Sequence, residues 1–171
     1  MCSTPSTSFD RLITIVSCDD KEFMVTRTSI RRSLVIEQMI HDLKMDDSEC
    51  PGKLIRLEKV DSKILTLVLE YCNHQINTPV VFDQHSNEKK TKLTKWVRDF
   101  LDIDQKVLFD LINAANYMKI YCLLHACCQV VADMIKGKST EEIRRIYNIE
   151  NDLTPEEERQ IERRNARLGI F

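Results

Sequence analysis

Glycine is scarce in this sequence, with three residues in a chain of 171. Gly52, Gly137 and Gly169 lie far apart. Glycine-rich loops are the motifs that bring backbone amides against a phosphate group in dinucleotide and P-loop sites. Without such a loop in the sequence, we expect neither kind of nucleotide site.

Long apolar runs and strong net charge are also missing. No run approaches the roughly 18 apolar residues that span a bilayer, and residues 1–8 lack the basic and apolar regions of a secretory signal. The formal net charge of −2 gives no overall reason to bind nucleic acid or anionic lipid. We therefore expect no nucleic-acid or membrane partner. The seven cysteines include no CxxC pair, so we expect reduced thiols in a protein of the cytoplasm and nucleus.

A metal site is not expected, although four potential ligands crowd one stretch. Cys122, His125, Cys127 and Cys128 would share a helix, in which only ligands three or four residues apart lie on one face. No second ligand pair with a zinc-like spacing follows elsewhere. We interpret these cysteines as buried thiols that act as small apolar side chains.

The sequence also contains no residues spaced as a catalytic pair or a calcium-binding loop. Cys72 and His74 are close in the chain, but regular backbone geometry points their side chains apart. The acidic residues of 46–49 lack the glycine and the distant glutamate of an EF-hand loop. The arginines of 159–167 share their segment with glutamates, in an order that suits the dipole of any exposed helix. We therefore expect no enzyme and no cofactor.

The composition is that of a globular protein, with 43% hydrophobic and 30% charged residues. The length suits one domain with an appendage. Residues 1–8 are rich in Ser, Thr and Pro and predict a flexible tail. Short segments at 12–16 and 22–25, rich in β-branched residues, flank a polar turn at 19–21 and predict a β-hairpin.

Two helices and a third strand are expected after the hairpin. Apolar residues within 36–43 recur at the spacing of one helix face. After a polar loop at 46–52, residues 54–57 predict a strand and 64–72 predict a second amphipathic helix. The expected order is therefore ββαβα.

The second half of the core lies beyond a polar segment. Residues 75–95 are polar and lysine-rich and predict an exposed insert. Two apolar helices are expected near 105–118 and 120–136, the second ended by Gly137 in a left-handed conformation. The core domain would then span residues 9–137.

Residues 138–171 predict a C-terminal helical extension. Ser139 with Glu142, and Thr154 with Glu157, each have the spacing of a capping box, in which a hydroxyl and a glutamate three residues on satisfy helix-terminal amides. The apolar residues of this extension are too sparse to form a core between themselves. The extension therefore needs another surface to cover it.

The helix expected at 120–136 is apolar on nearly every side, which is typical of a helix buried on two faces. One stripe is an ordinary core face. The second flank comprises Cys122, Ala126, Val130 and Ile135. Either a partner or the C-terminal extension covers this flank, or one compact core takes in all of these side chains; periodicity leaves both possibilities open.

Several collinear stretches resemble the S-phase-kinase-associated adaptor family. The most recognisable is Leu-Phe-Asp-Leu-Ile-Asn-Ala-Ala-Asn-Tyr-Met-Lys-Ile. The matching stretches are residues 108–120, 131–138 and 141–152, together with 43–47 and 70–74, which match in kind and order. The resemblance extends over about residues 10–165, and similarity of that length is more specific than any short motif.

The resemblance implies a BTB/POZ-like α/β (α+β) fold, in which a small three-stranded sheet packs on helices and a two-helix extension follows. It implies an adaptor without catalytic activity in an SCF-type ubiquitin ligase, which bridges a cullin scaffold to F-box substrate receptors for protein degradation. The alternative function is a homodimeric scaffold that acts without a cullin and pairs through the same C-terminal apolar surface.

The resemblance also assigns interface positions. Asn116 and Tyr117 fall on the family's cullin-contacting pair, and a tyrosine suits an interface because it buries a ring and keeps a hydroxyl for hydrogen bonding. An apolar groove with a polar rim is what an incoming helical F-box needs. The positions that match the family's F-box contacts are Phe109, Met134, Ile135, Lys136, Ile149, Asn151, Leu153, Ile161, Arg164 and Asn165.

Two departures from the family pattern bear on function. Arg167 occupies a place where the family usually has a tryptophan, and loss of an aromatic anchor removes about 2 kcal/mol or more of binding free energy. Either Leu168, Ile170 or Phe171 substitutes for it, or the range of F-box partners is narrower. The insert near residues 83–95 is basic where the family is more often acidic.

Overall fold

A computed structural model describes residues 12–43, 54–76 and 93–169. The predicted tail at 1–8, the polar loop at 46–52 and most of the predicted insert lie outside these residues. In chain order the described elements are β1 (Leu12–Val16), β2 (Glu22–Thr26), α1 (Arg27–Ile30), α2 (Leu34–Asp42), β3 (Leu54–Arg56), α3 (Ser62–His74), α4 (Lys95–Phe100), α5 (Gln105–Tyr117), α6 (Tyr121–Ile135), α7 (Thr140–Tyr147) and α8 (Pro155–Leu168).

The three strands form one mixed sheet in the order β2-β1-β3. β1 pairs antiparallel with β2, Thr14 lying opposite Met24, and parallel with β3, Thr14 lying opposite Leu54. The predicted hairpin is confirmed, with Asp20 in the left-handed conformation at φ 61° in its turn. Alternation along β1 buries Ile13 and Ile15 on the inner face of the sheet.

Helices cover the inner face of the sheet and supply most of the core. α1 packs on β2, α2 packs on β3, and α3 packs against both α1 and α5. The mixed α/β fold with a small sheet on helices is therefore confirmed. The largest fully buried side chains are Ile15, Ile30, Ile36, Ile40, Ile55, Leu57, Leu65, Leu101, Leu108, Leu111, Met118 and Ile120.

Two helices were missed by the pattern. α1 is a single turn that starts directly after β2, so the described order begins ββααβα. α4 begins at Lys95, where the polar insert was expected to continue, because Thr94 caps its first turn by accepting a hydrogen bond from the backbone N–H of Val97. Trp96 stacks on His74 with ring centroids 3.5 Å apart, which ties α4 to α3.

The chain divides into two compact units between Val131 and Ala132, within α6. The predicted domain boundary between residues 137 and 138 stays a prediction. Gly137 has a positive φ of 74°, as expected for a residue that follows the end of a helix. No helix in the described ranges is long and apolar enough to cross a membrane.

The second unit contains α7 and α8, and both predicted capping boxes are confirmed at their first turns. Asn148 follows α7 in the left-handed conformation, at φ 50°. Asn151 donates a hydrogen bond of 2.8 Å to Glu158 on α8, and Arg144 on α7 lies 3.5 Å from the same carboxylate. Neither helix contains a buried residue.

Candidate functional site

The C-terminal end of α5 positions the predicted cullin-contacting pair. Asn116 is exposed and Tyr117 is half-buried. Leu108 and Leu111 on the opposite side of α5 are completely buried. The helix is therefore anchored along one side by the core, and the other side presents Asn116 to solvent.

A tight hydrogen-bonded turn ends α5 immediately after this pair. Lys119 adopts the left-handed conformation at φ 52°. The N–H of Ile120 donates to the Ala115 carbonyl over 2.9 Å, and the N–H of Lys119 donates to the Asn116 carbonyl over 3.2 Å. These are the two bonds of a Schellman motif, and they fix the backbone at Asn116 and Tyr117.

Ser33 joins this turn to the start of α2. Its buried hydroxyl donates a 2.7 Å hydrogen bond to the carbonyl of Met118 and accepts one of 3.2 Å from the N–H of Ile36. Ser33 thus caps α2 and holds the end of α5 at the same time. A serine ahead of an apolar helix is a local signal for the cap, but no local pattern indicates the contact with Met118.

Lys59 completes the surroundings of Tyr117. The ammonium of this exposed lysine lies 5.8 Å from the centroid of the Tyr117 ring, within the range of a cation–π interaction. An exposed amide beside an aromatic ring with a hydroxyl is a surface suited to protein recognition. These residues do not form a catalytic arrangement, because no activated nucleophile with an adjacent base is among them.

The first of the predicted F-box positions lie on α5 and α6. Phe109 on α5 is 37% exposed, and Ile135 at the end of α6 is 36% exposed. Met134 is half-buried and Lys136, just after α6, is exposed. Large apolar side chains left accessible in this way are typical of a binding surface.

The second apolar flank of α6 is only partly covered. Ala126 is buried and Val130 is half-buried, whereas Cys122 and Ile135 are exposed. The possibility that one compact core takes in all of these side chains is therefore wrong. The single chain leaves part of the flank accessible to a partner.

The remaining predicted F-box positions lie in the second unit. Ile149 is 54% exposed and Ile161 is 43% exposed, whereas Leu153 and Asn165 are half-buried and Arg164 is exposed. Asn151 is exposed, and its side-chain oxygen accepts a hydrogen bond from the Leu153 N–H over 3.3 Å. Apolar groups with polar neighbours are therefore present in this unit, as an F-box surface requires.

Basic side chains occupy the region where the family pattern has an aromatic residue. Arg167 lines a shallow depression along one side of α8 together with Gln160, Arg163, Arg164 and Leu168. Leu168 is 61% exposed and is available as a substitute apolar contact. Ile170 and Phe171, the other candidates for this role, lie outside the described residues.

The cysteines have two different environments, which corrects the sequence interpretation. Cys127 is a buried thiol as expected, Cys72 is buried as well, and burial raises the pKa of each to about 12. Cys122 and Cys128 are exposed and do not act as core side chains, because they lie on the accessible sides of α6. No group of three or more His, Cys, Asp or Glu side chains in the described part of the chain could hold a metal ion.

Comparisons with known proteins identify the family. A model described as "Skp1 family, tetramerisation domain" matches residues 11–77, and one described as "Skp1 family, dimerisation domain" matches residues 121–168. A Skp1-related protein of Caenorhabditis elegans is 46% identical over 160 residues, which cover 92% of this chain and 91% of that protein.

Two further relatives extend the similarity to fungi and amoebae. The E3 ubiquitin ligase complex SCF subunit sconC of Arthroderma otae is 43% identical over 156 residues, 90% of this chain and 92% of that protein. The SCF ubiquitin ligase complex protein SKP1a of Dictyostelium discoideum is 42% identical over 156 residues, 90% of this chain and 93% of that protein. By these matches, which cover nearly its whole length, the chain belongs to the Skp1 family.

Proposed function

We propose that this chain is the adaptor subunit of an SCF-type E3 ubiquitin ligase, which bridges a cullin scaffold to F-box substrate receptors. The observation that carries the proposal is similarity to named SCF subunits over about nine-tenths of both chains. The same names give no support to the alternative of a homodimeric scaffold that acts without a cullin. The adaptor contributes binding surfaces and leaves the ubiquitin-transfer chemistry to other subunits.

The cullin surface in this proposal consists of Asn116 and Tyr117. Three features favour it: Asn116 is exposed, the Schellman turn holds the backbone, and Lys59 lies against the Tyr117 ring. A rigid surface loses little conformational entropy on binding, so its contacts contribute more fully to affinity. Asn116 supplies an amide that both donates and accepts hydrogen bonds.

The F-box contacts in this proposal are Phe109 in the first unit and, in the second unit, the predicted positions from Met134 to Asn165. An F-box helix with apolar residues on one face would cover the exposed side chains of Ile149 and Ile161. Phe109 and Tyr117 are eight residues apart on one helix, which corresponds to about 12 Å along its axis. The two proposed interfaces therefore share α5 but do not overlap on it.

The proposed site of action is the cytoplasm and the nucleus, where ubiquitin ligases of this kind would meet reduced proteins. The exposed free thiols of Cys18, Cys122 and Cys128 support a reducing environment, since exposed thiols oxidise readily in an oxidising one. Imaging of a tagged chain expressed from its own promoter would test this assignment.

The function is tested with purified full-length chain, a cullin N-terminal region and a panel of F-box proteins. We expect one ternary complex by size-exclusion chromatography with mass analysis. The double variant Asn116→Lys/Tyr117→Glu would lose cullin binding and retain F-box binding, because a lysine replaces the amide and a carboxylate replaces the ring at the centre of the proposed surface.

Lys106→Glu is the matched control, since it changes charge on an exposed side chain of the same helix about 15 Å away. This variant is expected to bind both partners normally. A wild-type chain that binds F-box proteins but no cullin would refute the adaptor function. Loss of both activities in the double variant, with unchanged circular dichroism, would refute the separate placement of the two interfaces.

A further inference from the structure

Arginines on one side of α8 have no partner among the described residues. Arg163, Arg164 and Arg167 are exposed, and within the described part of the chain they make no hydrogen bond or ion pair. Together with Gln160 and Leu168 they line the shallow depression along α8. The depression therefore presents three positive charges to solvent.

The glutamates in the first turn of α8 are engaged elsewhere. Glu157 accepts hydrogen bonds from the backbone and the hydroxyl of the cap residue Thr154. Glu156 lies 3.0 Å from the guanidinium of Arg159. Glu158 accepts a hydrogen bond of 2.8 Å from the segment between α7 and α8. These carboxylates therefore already have partners within the second unit.

The remaining glutamate of α8, Glu162, lies away from the depression. A helix turns by about 100° per residue, so Glu162 is about 140° around the helix from Arg167. Only side chains three or four residues apart lie side by side on a helix, and the residues at those positions after Glu162 are Asn165 and Ala166. Glu162 thus does not neutralise the side that carries the arginines.

The dipole of α8 does not explain why the arginines share one side. A helix dipole favours cations in the last turn, but it acts along the axis and has no preference for one side of the helix. Arg163 and Arg167 are four residues apart, a spacing at which like charges destabilise a helix. An arrangement that lowers helix stability is expected where the charges serve binding.

We propose that this side of α8 binds an acidic segment of the F-box receptor and makes the chain selective for receptors that carry such a segment. The proposal rests on the adaptor function proposed above and extends its F-box surface to Arg163 and Arg167, which the family resemblance does not assign. Arginine suits this contact because its planar guanidinium binds a carboxylate through two parallel hydrogen bonds. The surface is continuous with the predicted F-box positions Arg164 and Asn165 on the same helix.

The spacing of the arginines defines the complementary segment. Arg163 and Arg167 are about 6 Å apart along the helix axis. Two carboxylates four residues apart on a receptor helix have the same spacing. Gln160, about one turn earlier, adds an amide that donates and accepts hydrogen bonds, and Leu168 adds an exposed apolar contact. The expected counterpart is a receptor helix with acidic residues at positions i and i+4 beside an apolar residue.

Arg167 is the residue that makes the contact selective. The family usually has a tryptophan at this place, and a receptor pocket that suits an aromatic ring would bury the guanidinium without an opposite charge. Such burial is unfavourable. A receptor that presents a carboxylate there instead gains a charge-assisted hydrogen bond. The replacement therefore favours acidic receptors and disfavours those with an apolar pocket.

Charge exchange between adaptor and receptor tests the proposal. The member of the F-box panel that binds the full-length chain most tightly is titrated with wild type and with Arg163→Glu/Arg167→Glu. We expect the dissociation constant of the variant to rise about tenfold or more, because carboxylates then face carboxylates. Each acidic i, i+4 pair in the F-box region of the receptor is then replaced by lysines in turn. One of these replacements should restore binding to the variant and weaken binding to wild type.

Lys138→Glu/Arg145→Glu is the matched control. It changes the net charge by the same amount, at two exposed side chains of the second unit that lie outside the depression. This variant should bind the receptor as wild type does. Arg167→Trp is an independent test, which should weaken binding to the acidic receptor and strengthen binding to panel members without an acidic pair.

Several results would overturn the proposal. They are equal receptor binding by Arg163→Glu/Arg167→Glu and wild type, an equal loss in the control, or no recovery with any lysine replacement. Each of these leaves the adaptor function in place, since the receptor still binds the wild-type chain. A wild-type chain that binds no F-box protein would overturn both proposals. Binding of duplex RNA that is lost in Arg163→Glu/Arg167→Glu, with receptor binding unchanged, would assign the arginines to nucleic acid instead.

Discussion

Replacement of Ser33 by alanine should destabilise the first unit much more than loss of an ordinary helix cap. The hydroxyl of Ser33 makes two hydrogen bonds, to the Met118 carbonyl and from the Ile36 N–H, and the residue is fully buried. In the Ser33→Ala variant the carbonyl loses this donor and the first turn of α2 loses its cap. Water has no access to replace either bond.

The expected loss can be estimated from these two bonds. Loss of an N-cap costs about 1 kcal/mol. Loss of the donor to a buried carbonyl costs about 1–3 kcal/mol. The free energy of unfolding should therefore fall by about 2–4 kcal/mol, a large share of the 5–15 kcal/mol typical of a domain.

Asp104→Ala is the matched control. Asp104 caps α5 by accepting one hydrogen bond of 3.0 Å from the N–H of Lys106, at an exposed position. Its replacement should cost about 1 kcal/mol or less. Urea unfolding of both variants can be followed by the fluorescence of Trp96, the single tryptophan of the chain, which lies in the first unit.

The comparison has a clear refuting result. If Ser33→Ala loses no more stability than Asp104→Ala, the bond between Ser33 and Met118 does not hold α2 to the end of α5. A loss of the expected size, with weaker cullin binding at temperatures where the variant is folded, would link this bond to the geometry of Asn116 and Tyr117.

Two further predictions concern Asp19 and Lys119. Hydrogen bonds from the hydroxyls of Ser62 and Ser17 hold the pKa of Asp19 well below its usual value. The stability that this carboxylate contributes is therefore fully present above the ordinary Asp pKa of about 4. It is lost as the pH falls toward the lowered pKa. The free energy of unfolding of Asp19→Asn, measured by urea titration from neutral pH downward, should fall less steeply in acid than that of wild type; equal slopes would contradict this. Lys119→Gly should raise the free energy of unfolding by about 1 kcal/mol, because glycine adopts φ 52° without strain. Lys119→Ala should not raise it, because alanine keeps the strain of a side chain at this φ. An equal effect of both variants in thermal denaturation would show that backbone strain is not the cause.

Local patterns predicted the elements whose stabilising contacts are local. β1 and β2 followed from β-branched residues around a polar turn, and both capping boxes followed from the spacing of Ser139 with Glu142 and Thr154 with Glu157. In each case the residues that form the contact are neighbours in the chain. The short helix α1 was missed because a single turn has too few residues to show a period.

Contacts between distant residues could not be predicted in this way. Ser33 and Met118 are 85 positions apart, and nothing in either local sequence indicates the other. Lys119 in the left-handed conformation gives no signal either, since glycine or asparagine is the usual residue at such a turn. The predicted interface positions themselves came from family resemblance, and the binding experiments with a cullin N-terminal region and F-box proteins remain their test.

Helices α7 and α8 contain no buried residue, and capping boxes hold their first turns in place. Helices with little burial open locally at low free-energy cost, so their amide protons exchange with solvent sooner than those of α3 and α5. A bound F-box would lower the frequency of this opening by mass action. Copies without a bound receptor should therefore be cleaved more readily between residues 138 and 169 than copies in a complex.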